Sequence, residues 1–392
     1  MVMQKKREEK KSHGSSAGIC LAGKTVCCVL CALILNSCAS LRGGGPGLSR
    51  NDKIRVALAL NATSVKIAAV GPYRLRAFSS EAVLEEGRNG MWDAVAGDKK
   101  VVFGRNSDWE GIRVETARCQ VNDKTYRGML EVRFEEGKLM VINILPIEEY
   151  LYSVVPAEVP KDWPREAIYA QIVTSRTYAY YKCVYNVKKP YDVVPSVLDQ
   201  VYRGFEREDP QCNDLVNSSR GWILWFGDNV AMTPFHSCCG GSTEWSANVW
   251  STDLLYLVSV KCPYCKNSKN FTWTAVVPAD KISAALGLSK LDNLSVQENF
   301  PSGRVKTLLV QSGENITRIS GCEFRMKIGA DAVKSTLFEV KKEGDNFIFD
   351  GHGWGHGVGM CQEGAMEMAN QGKKCRAILQ FYYPGTELRR LR

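Results

Sequence analysis

Two nucleotide-binding signatures are missing from this sequence. No stretch matches the phosphate-binding pattern G-x-x-x-x-G-K-[ST], and the glycines of 351–359 recur at every second position, which is not the G-x-G-x-x-G register of a dinucleotide site. The chain beyond its first 37 residues also has little net charge. Residues 1–37 hold six Lys or Arg and two Glu, and the remainder has 45 basic against 40 acidic residues. We therefore expect neither a nucleotide cofactor nor a nucleic-acid partner.

Long apolar runs are absent as well. A permanent membrane-spanning helix needs about 20 apolar residues, whereas the apolar run 26–35 has ten and follows a cluster of Lys and Arg. This pattern predicts a secretion signal over 1–37. The residues before Cys38 resemble a lipoprotein cleavage box, although Asn36 is an unusual occupant. Lipidation of Cys38 and plain secretory cleavage are the two alternatives.

The rest of the chain predicts a mixed α+β fold. A glycine-rich stretch marks 38–51 as a flexible tether. Short alternating runs predict a β-rich accessory region over 52–120. The segment 121–392 is expected to form the main domain, with a buried strand at 137–146 and a long helix at 166–185.

Glu158 lies in a proline-bracketed segment. Pro156, Pro160 and Pro164 restrict the backbone on both sides of it. Apolar neighbours, Val159 among them, would partly desolvate the carboxyl group and raise its pKa towards that of a general acid. The alternative is an exposed glutamate in a turn.

Cysteines and one histidine form a second cluster. His236 and Cys239 are followed after about 25 residues by the C-x-x-C pair Cys262 and Cys265. One nitrogen and three sulfurs make a closed tetrahedral zinc set, which would be structural because it leaves no open position for water. A disulfide from Cys239 to Cys262 or Cys265, or free thiols, are the alternatives.

The glycine-dense segment 351–359 carries His352, Trp354 and His356. Alternating glycines let the backbone pass close to a bulky group, and the aromatic ring with hydrogen-bonding imidazoles suits a sugar. The alternative is a glycine strand that is close-packed inside the core.

In this order and spacing, these segments resemble the SpoIID/LytB family of sporulation and amidase-enhancer proteins. The matching stretches lie between about 126 and 386 and comprise Pro146, 149–151, 154–160, 163–164, Gln171, 176–178, 199–204, 235–244, 351–365 and 382–386. Val159 replaces a usual Met, His352 a usual Arg, and Cys361 a usual Ser, while Ser242 replaces a common His or polar residue. The region 52–120 lies outside this resemblance.

The resemblance implies a lytic transglycosylase that cleaves the bond between N-acetylmuramic acid and N-acetylglucosamine in peptidoglycan, with Glu158 as its single acid/base. It also implies an exported protein on the periplasmic or cell-surface side of a bacterial membrane, tethered by lipid. Its partners would be glycan strands and a cell-wall amidase. The residues expected along a sugar groove are Arg176, Tyr178, Gln200, Tyr202, Trp354, His356 and Gln362.

Two rival functions remain open at this point. The family relation equally allows a non-catalytic protein that binds glycan and enhances an amidase. A thiol hydrolase would use Cys239 or Cys361 with His356, which requires a thiol activated by a helix N-terminus or a nearby cation.

Overall fold

The computed structural model describes residues 52–250 and 252–391. The predicted signal 1–37, the tether 38–51 and Cys38 lie outside these residues. Within the described ranges, no helix combines the length and the apolar character needed to cross a membrane.

An antiparallel sheet of ten strands opens the described chain. The strands are β1 (Lys53–Ala62), β2 (Ser64–Ala77), β3 (Val83–Arg88), β4 (Met91–Gly97), β5 (Lys100–Phe103), β6 (Asn106–Asp108), β7 (Gly111–Val121), β8 (Lys124–Arg127), β9 (Met129–Glu135) and β10 (Lys138–Pro146). Their order is β1-β10-β9-β7-β2-β4-β5-β6, while β3 pairs with β2 and β8 with β7. The sheet continues past residue 120 to Pro146. Alternation of apolar and polar residues places one face in the core, as along β1 and β2.

Two helices follow the sheet and position the candidate site. They are α1 (Ile147–Glu158) and α2 (Arg165–Tyr185). Pro156, Pro160 and Pro164 predicted a restricted backbone around Glu158, and the structure shows that α1 is a helix that ends at this residue. Pro146 occupies its N-cap, and only Pro156 lies inside the helix, so the proline-free first turns can form regular hydrogen bonds. The predicted helix at 166–185 is confirmed, and residues 170–180 of α2 are all buried.

The remainder alternates short helices with small sheets. Its strands are β11 (Trp222–Phe226), β12 (Asn229–Val230), β13 (Phe235–His236), β14 (Thr272–Pro278), β15 (Asn293–Asn299), β16 (Val305–Ser312), β17 (Asn315–Ser320), β18 (Phe338–Glu343), β19 (Asn346–His352), β20 (Met360–Cys361) and β21 (Glu387–Arg390). Its helices are α3 (Pro210–Ser218), α4 (Ser246–Trp250), α5 (Ala279–Leu286), α6 (Gly321–Ile328), α7 (Gln362–Asn370) and α8 (Cys375–Tyr382). The predicted α+β class with a β-rich N-terminal region is confirmed.

Buried side chains in the described residues form three apolar clusters. The first joins the ten-stranded sheet to α1 and α2. The second surrounds several buried cysteines, including Cys239 and Cys361, together with α7 and α8. The third lies among α5, α6 and the strands β14 to β19. The parallel pairing of β13 with β20 brings Phe235 and His236 next to Met360 and Cys361, so two distant motifs meet beside the second cluster.

Candidate functional site

The Glu158 carboxylate is held at the C-terminal end of α1. Its side chain is half-buried, and one oxygen accepts a hydrogen bond of 2.7 Å from the backbone N–H of Val201. Val159 is in an extended conformation and nearly fully buried, so the chain turns away immediately after the glutamate. The carboxyl group is therefore fixed in position while part of its surface stays accessible.

Burial raises the pKa of Glu158 to about 7, and the Val201 N–H partly opposes this shift. The C-terminus of a helix carries partial negative charge, which also disfavours a carboxylate there. A group with this pKa is protonated and ionised in similar amounts near neutral pH. It can therefore donate a proton and later accept one.

The Val201 N–H is positioned by the residues on either side of it. Gln200 is fully buried, donating to the Ser175 carbonyl at 3.3 Å and accepting from the Tyr150 hydroxyl at 3.2 Å. Tyr202 is buried and donates to the Asn143 side chain at 2.9 Å. Gln200 and Tyr202 were predicted in a sugar groove, and their burial corrects this. Both are enclosed, and they hold the segment that presents Val201 to Glu158.

Arg176 also requires a correction. Its side chain is fully buried and binds Glu148 through an Nη2 to Oε2 contact of 2.8 Å, with a further hydrogen bond to the Val216 carbonyl. An arginine with these partners cannot reach a sugar. It joins α1 to α2, the two helices around the site, as a buried ion pair.

Tyr178 is likewise mostly enclosed. It is 7% exposed, and its hydroxyl donates to Asp199 at 2.7 Å. Asp199 also forms an ion pair with Lys182 at 2.7 Å and accepts a hydrogen bond from the Val194 N–H at 2.8 Å. Tyr178 therefore secures the loop that leads into Gln200, and the structure does not place it in an open groove.

Gln362, also predicted in the sugar groove, is 7% exposed and so is enclosed like Tyr178, but the structure brings it next to Glu158. Its amide nitrogen is 3.5 Å from the Glu158 backbone carbonyl and 3.3 Å from the Gln171 side-chain oxygen. Gln171 in turn donates to Ser175 at 3.0 Å. The first residue of α7 is thus linked to the end of α1 and to the middle of α2.

The glycine-dense loop packs against buried side chains of the chain itself. A Cβ at Gly355 would lie 2.6 Å from the His236 Cβ, and one at Gly357 would lie 2.5 Å from the Arg304 Cζ. Glycines therefore allow a close approach, as expected, but the bulky groups belong to the protein. Trp354 is partly exposed, and its ring faces the Lys334 ammonium at 4.8 Å.

His356 has both ring nitrogens engaged. Nε2 lies 2.9 Å from the Phe235 carbonyl, and Nδ1 accepts from the Val358 N–H at 3.0 Å. These partners select the neutral tautomer with the proton on Nε2, and burial lowers the pKa of His356 to about 3. The ring packs against Trp250 with centroids 5.0 Å apart. His356 therefore supports Trp250 and has no free nitrogen for a sugar or a thiol.

Four buried cysteines form a cluster that could hold a metal ion. The sulfurs of Cys239, Cys262, Cys265 and Cys361 all lie within 4.8 Å of one another. Tetrahedral zinc with Zn–S bonds of about 2.3 Å places its sulfurs about 3.8 Å apart, so the donor set fits. The Cys239 and Cys265 sulfurs are 3.4 Å apart, compared with about 2.05 Å in a disulfide.

Cys361 takes the place that the sequence prediction gave to His236. The His236 Nδ1 faces the Val358 carbonyl at 3.1 Å, and its Nε2 has no hydrogen-bond partner among the described residues. Because Cys361 comes almost one hundred residues after Cys265, spacing could not identify it. The cysteine in place of the family's usual serine was the available signal. Burial of Cys239 and Cys361 also leaves the thiol-hydrolase alternative without an accessible nucleophile.

Comparisons with known proteins cover most of the described chain. The model for Stage II sporulation protein (SpoIID) matches residues 135–226, and the model for a Domain of unknown function (DUF8618) matches 264–359. An uncharacterised protein of Brachyspira hyodysenteriae is 34% identical over 286 residues, which are 71% of this chain and 76% of that protein.

Two relatives with descriptive names come from Bacillus subtilis. Its stage II sporulation protein D is 32% identical over 266 residues, which are 63% of this chain and 75% of that protein. Its amidase enhancer is 28% identical over 289 residues, which are 61% of this chain but only 40% of the enhancer. The similarity to the enhancer thus covers less than half of that protein.

Proposed function

Because this chain belongs to the stage II sporulation protein D family, we propose that it is a lytic transglycosylase that cleaves peptidoglycan glycan strands, with Glu158 as its acid/base. Membership assigns the chain a cell-wall role outside the cytoplasm. To this cell-wall role the proposal adds the type of reaction, lytic transglycosylation, and the catalytic residue, Glu158. It depends above all on one observation, a half-buried carboxyl with a pKa of about 7 held by the Val201 N–H.

Protonated Glu158 donates its proton to the oxygen that links N-acetylmuramic acid to N-acetylglucosamine, and that bond breaks. The resulting carboxylate then removes the proton from the muramyl 6-hydroxyl, whose oxygen closes an internal anhydro ring at the anomeric carbon. The glutamate ends protonated, as it began. A pKa near neutral pH suits both steps because neither form of the group is strongly favoured.

A single carboxylate also distinguishes this reaction from paired-carboxylate hydrolysis. In retaining glycosidases the two carboxyl groups are about 5 Å apart, and such a neighbour would raise the pKa of the acid. For Glu158, burial raises the pKa, the Val201 hydrogen bond lowers it, and no carboxylate of the described residues is among the causes. This argues against the close carboxyl pair of a retaining hydrolase and agrees with a mechanism in which the substrate's own hydroxyl is the nucleophile.

The test is the Glu158→Gln variant on purified glycan strands from which the peptides have been removed. Glutamine keeps the acceptor for the Val201 N–H but cannot transfer the proton. We expect anhydro-muramyl ends, counted by mass spectrometry, to fall by a factor of at least about 100. Glu339→Gln, at an exposed strand residue, is the matched control and should retain full activity. Undiminished product from Glu158→Gln would refute the proposal.

A second candidate function is favoured by the similarity to the amidase enhancer. In that case the chain would bind glycan and stimulate a cell-wall amidase without cleaving the strand itself. Stimulation of a purified amidase that is equal for wild type and Glu158→Gln, with no anhydro ends from either, would favour this function.

We further propose that the four-cysteine cluster binds a structural zinc ion. Four protein sulfurs leave no open position, so the metal would stabilise the fold and take no part in the reaction. Cys361 directly precedes Gln362, which contacts the Glu158 carbonyl. The metal would therefore fix the start of α7 beside the end of α1.

A further inference from the structure

Arg304 is a buried cation that the proposed reaction does not use. It is 1% exposed. Its Nη2 atom donates to the Cys239 carbonyl at 2.8 Å, whereas Nε and Nη1 have no hydrogen-bond partner in the described part of the chain. Buried charges in proteins are normally paired or belong to a metal centre, so Arg304 requires a negative group close by.

The position of the Arg304 guanidinium is fixed by its surroundings. It lies flat against Gly357, where a Cβ would come within 2.5 Å of its Cζ and Nη2 atoms. At the other end of the residue, the Arg304 N–H donates to the Ser302 hydroxyl at 3.3 Å, and the Arg304 carbonyl accepts from the Phe300 N–H at 2.8 Å. The cation is therefore held beside Cys239 and cannot turn towards solvent.

A buried carboxylate in this region, Glu244, is satisfied by other donors. Its oxygens accept hydrogen bonds from the Trp245 N–H at 2.8 Å, from the Asn248 amide at 3.0 Å and from the Ser302 hydroxyl. Glu244 is close enough to act on the charge of Arg304, but within the described ranges it forms no hydrogen bond with it. Glu244 alone therefore does not pair with this cation.

The cysteine cluster is the other source of negative charge. Among the neighbouring ionisable groups, Cys239 acts most strongly on the charge of Arg304. The Cys361 sulfur accepts hydrogen bonds from the Cys239 N–H at 3.2 Å and from the Gly364 N–H at 3.3 Å, and such contacts support a thiolate that binds a metal. Four thiolates around one divalent ion carry two excess negative charges, which a buried site must offset.

We infer that Arg304 is the counterion of the four-cysteine metal centre. The inference rests on the structural metal site put forward with the proposed function. Metal binding releases the thiol protons and creates negative charge in the interior, and Arg304 stabilises this charge. Without the metal the thiols are neutral, so the same cation is buried without a counterpart. Metal binding therefore fixes the segment that carries Arg304 against the glycine-dense loop.

The test measures binding of Co²⁺ to the full-length, reduced, metal-free chain through the visible absorption of thiolate-bound cobalt. Arg304→Met removes the charge and should weaken binding by about 10- to 100-fold, the usual effect of losing a residue that supports metal ligands. Arg304→Lys keeps the charge and should stay within about fivefold of the wild type. Arg318→Met, at an exposed arginine of β17, is the control and should match the wild type.

Melting temperatures with and without metal separate the charge of Arg304 from its packing. Arg304→Met should lower the melting temperature of the metal-loaded protein. In the metal-free protein it should leave the melting temperature unchanged or raise it, because the variant no longer buries an unpaired cation. An equal decrease in both forms would show a packing role and contradict the inference.

Two binding results would also overturn the inference: cobalt affinity of Arg304→Met equal to that of the wild type, or equal losses for Arg304→Met and Arg304→Lys. A wild-type chain that binds no cobalt would remove the metal site of the proposed function, and the inference with it. When the wild type binds cobalt, the Arg304 variants test the inference alone. None of these measurements depends on glycan cleavage by Glu158.

Discussion

Replacement of Glu158 by Gln should stabilise the protein at alkaline pH and leave its stability unchanged in acid. The pKa of Glu158 rises from an ordinary 4.5 to about 7 in the fold. Below pH 4.5 the carboxyl is protonated in both states. Between the two values the unfolded chain ionises first, so the wild type loses stability as pH rises. Above pH 7 the loss of folding free energy caused by ionised Glu158 no longer changes with pH.

The size of this effect follows from the two pKa values. At about 1.4 kcal/mol for each tenfold difference, the ionised group costs the native state about 3 kcal/mol, and partial exposure reduces this to about 2–3 kcal/mol. Glutamine cannot ionise, yet it still accepts from the Val201 N–H. The variant should therefore exceed the wild type by about 2–3 kcal/mol at pH 8 and by less than about 0.5 kcal/mol at pH 4.

Urea denaturation at the two pH values measures the difference directly. Glu339→Gln, at an exposed strand residue, is the control and should stay within about 0.5 kcal/mol of the wild type at both. A stability difference for Glu158→Gln that is the same at pH 4 and pH 8 would refute the reasoning, since the carboxyl would then titrate like one in water.

Three further predictions concern the supports of the site. Arg176→Met leaves Glu148 buried without its cation and should lower the free energy of unfolding by about 3–5 kcal/mol, measured by urea denaturation; Arg220→Met, at an exposed position, is the control. A chelator should release the proposed zinc, about one ion per chain by a chromogenic assay, and lower the melting temperature, while Cys361→Ser should be purified with less zinc and melt at a lower temperature; a chain purified under reducing conditions without metal contradicts this. Gln362→Leu removes the donor to the Glu158 carbonyl and the Gln171 side-chain oxygen and should lower the free energy of unfolding by about 1–3 kcal/mol and reduce glycan cleavage; full activity would show that its contact with α1 is dispensable.

Local patterns in the sequence predicted much of the fold. Alternation identified several strands of the large sheet, and the long helix at 166–185 begins only one residue earlier, at Arg165. The helix α1 was not predicted, because several prolines near Glu158 argue against a helix. Their positions decide the outcome, since Pro146 precedes the first helical turn and only Pro156 lies inside the helix.

The candidate site was less predictable, because matched motifs do not reveal which way a side chain points. Arg176 and Gln200 carry groups that could bind a sugar, yet both are fully enclosed. The Val201 N–H has no side-chain signature at all. Cys361 joins the sulfur cluster only because β13 pairs with β20, a contact between residues more than one hundred positions apart.

In the proposed reaction, one carboxyl group cleaves the glycan and the substrate's own hydroxyl is the nucleophile. Digestion of peptide-free glycan in water enriched in oxygen-18 separates this route from hydrolysis, with product masses as the readout. We expect anhydro-muramyl ends that carry no oxygen from the solvent. Reducing ends that contain one solvent oxygen, or no cleavage at all, would contradict it.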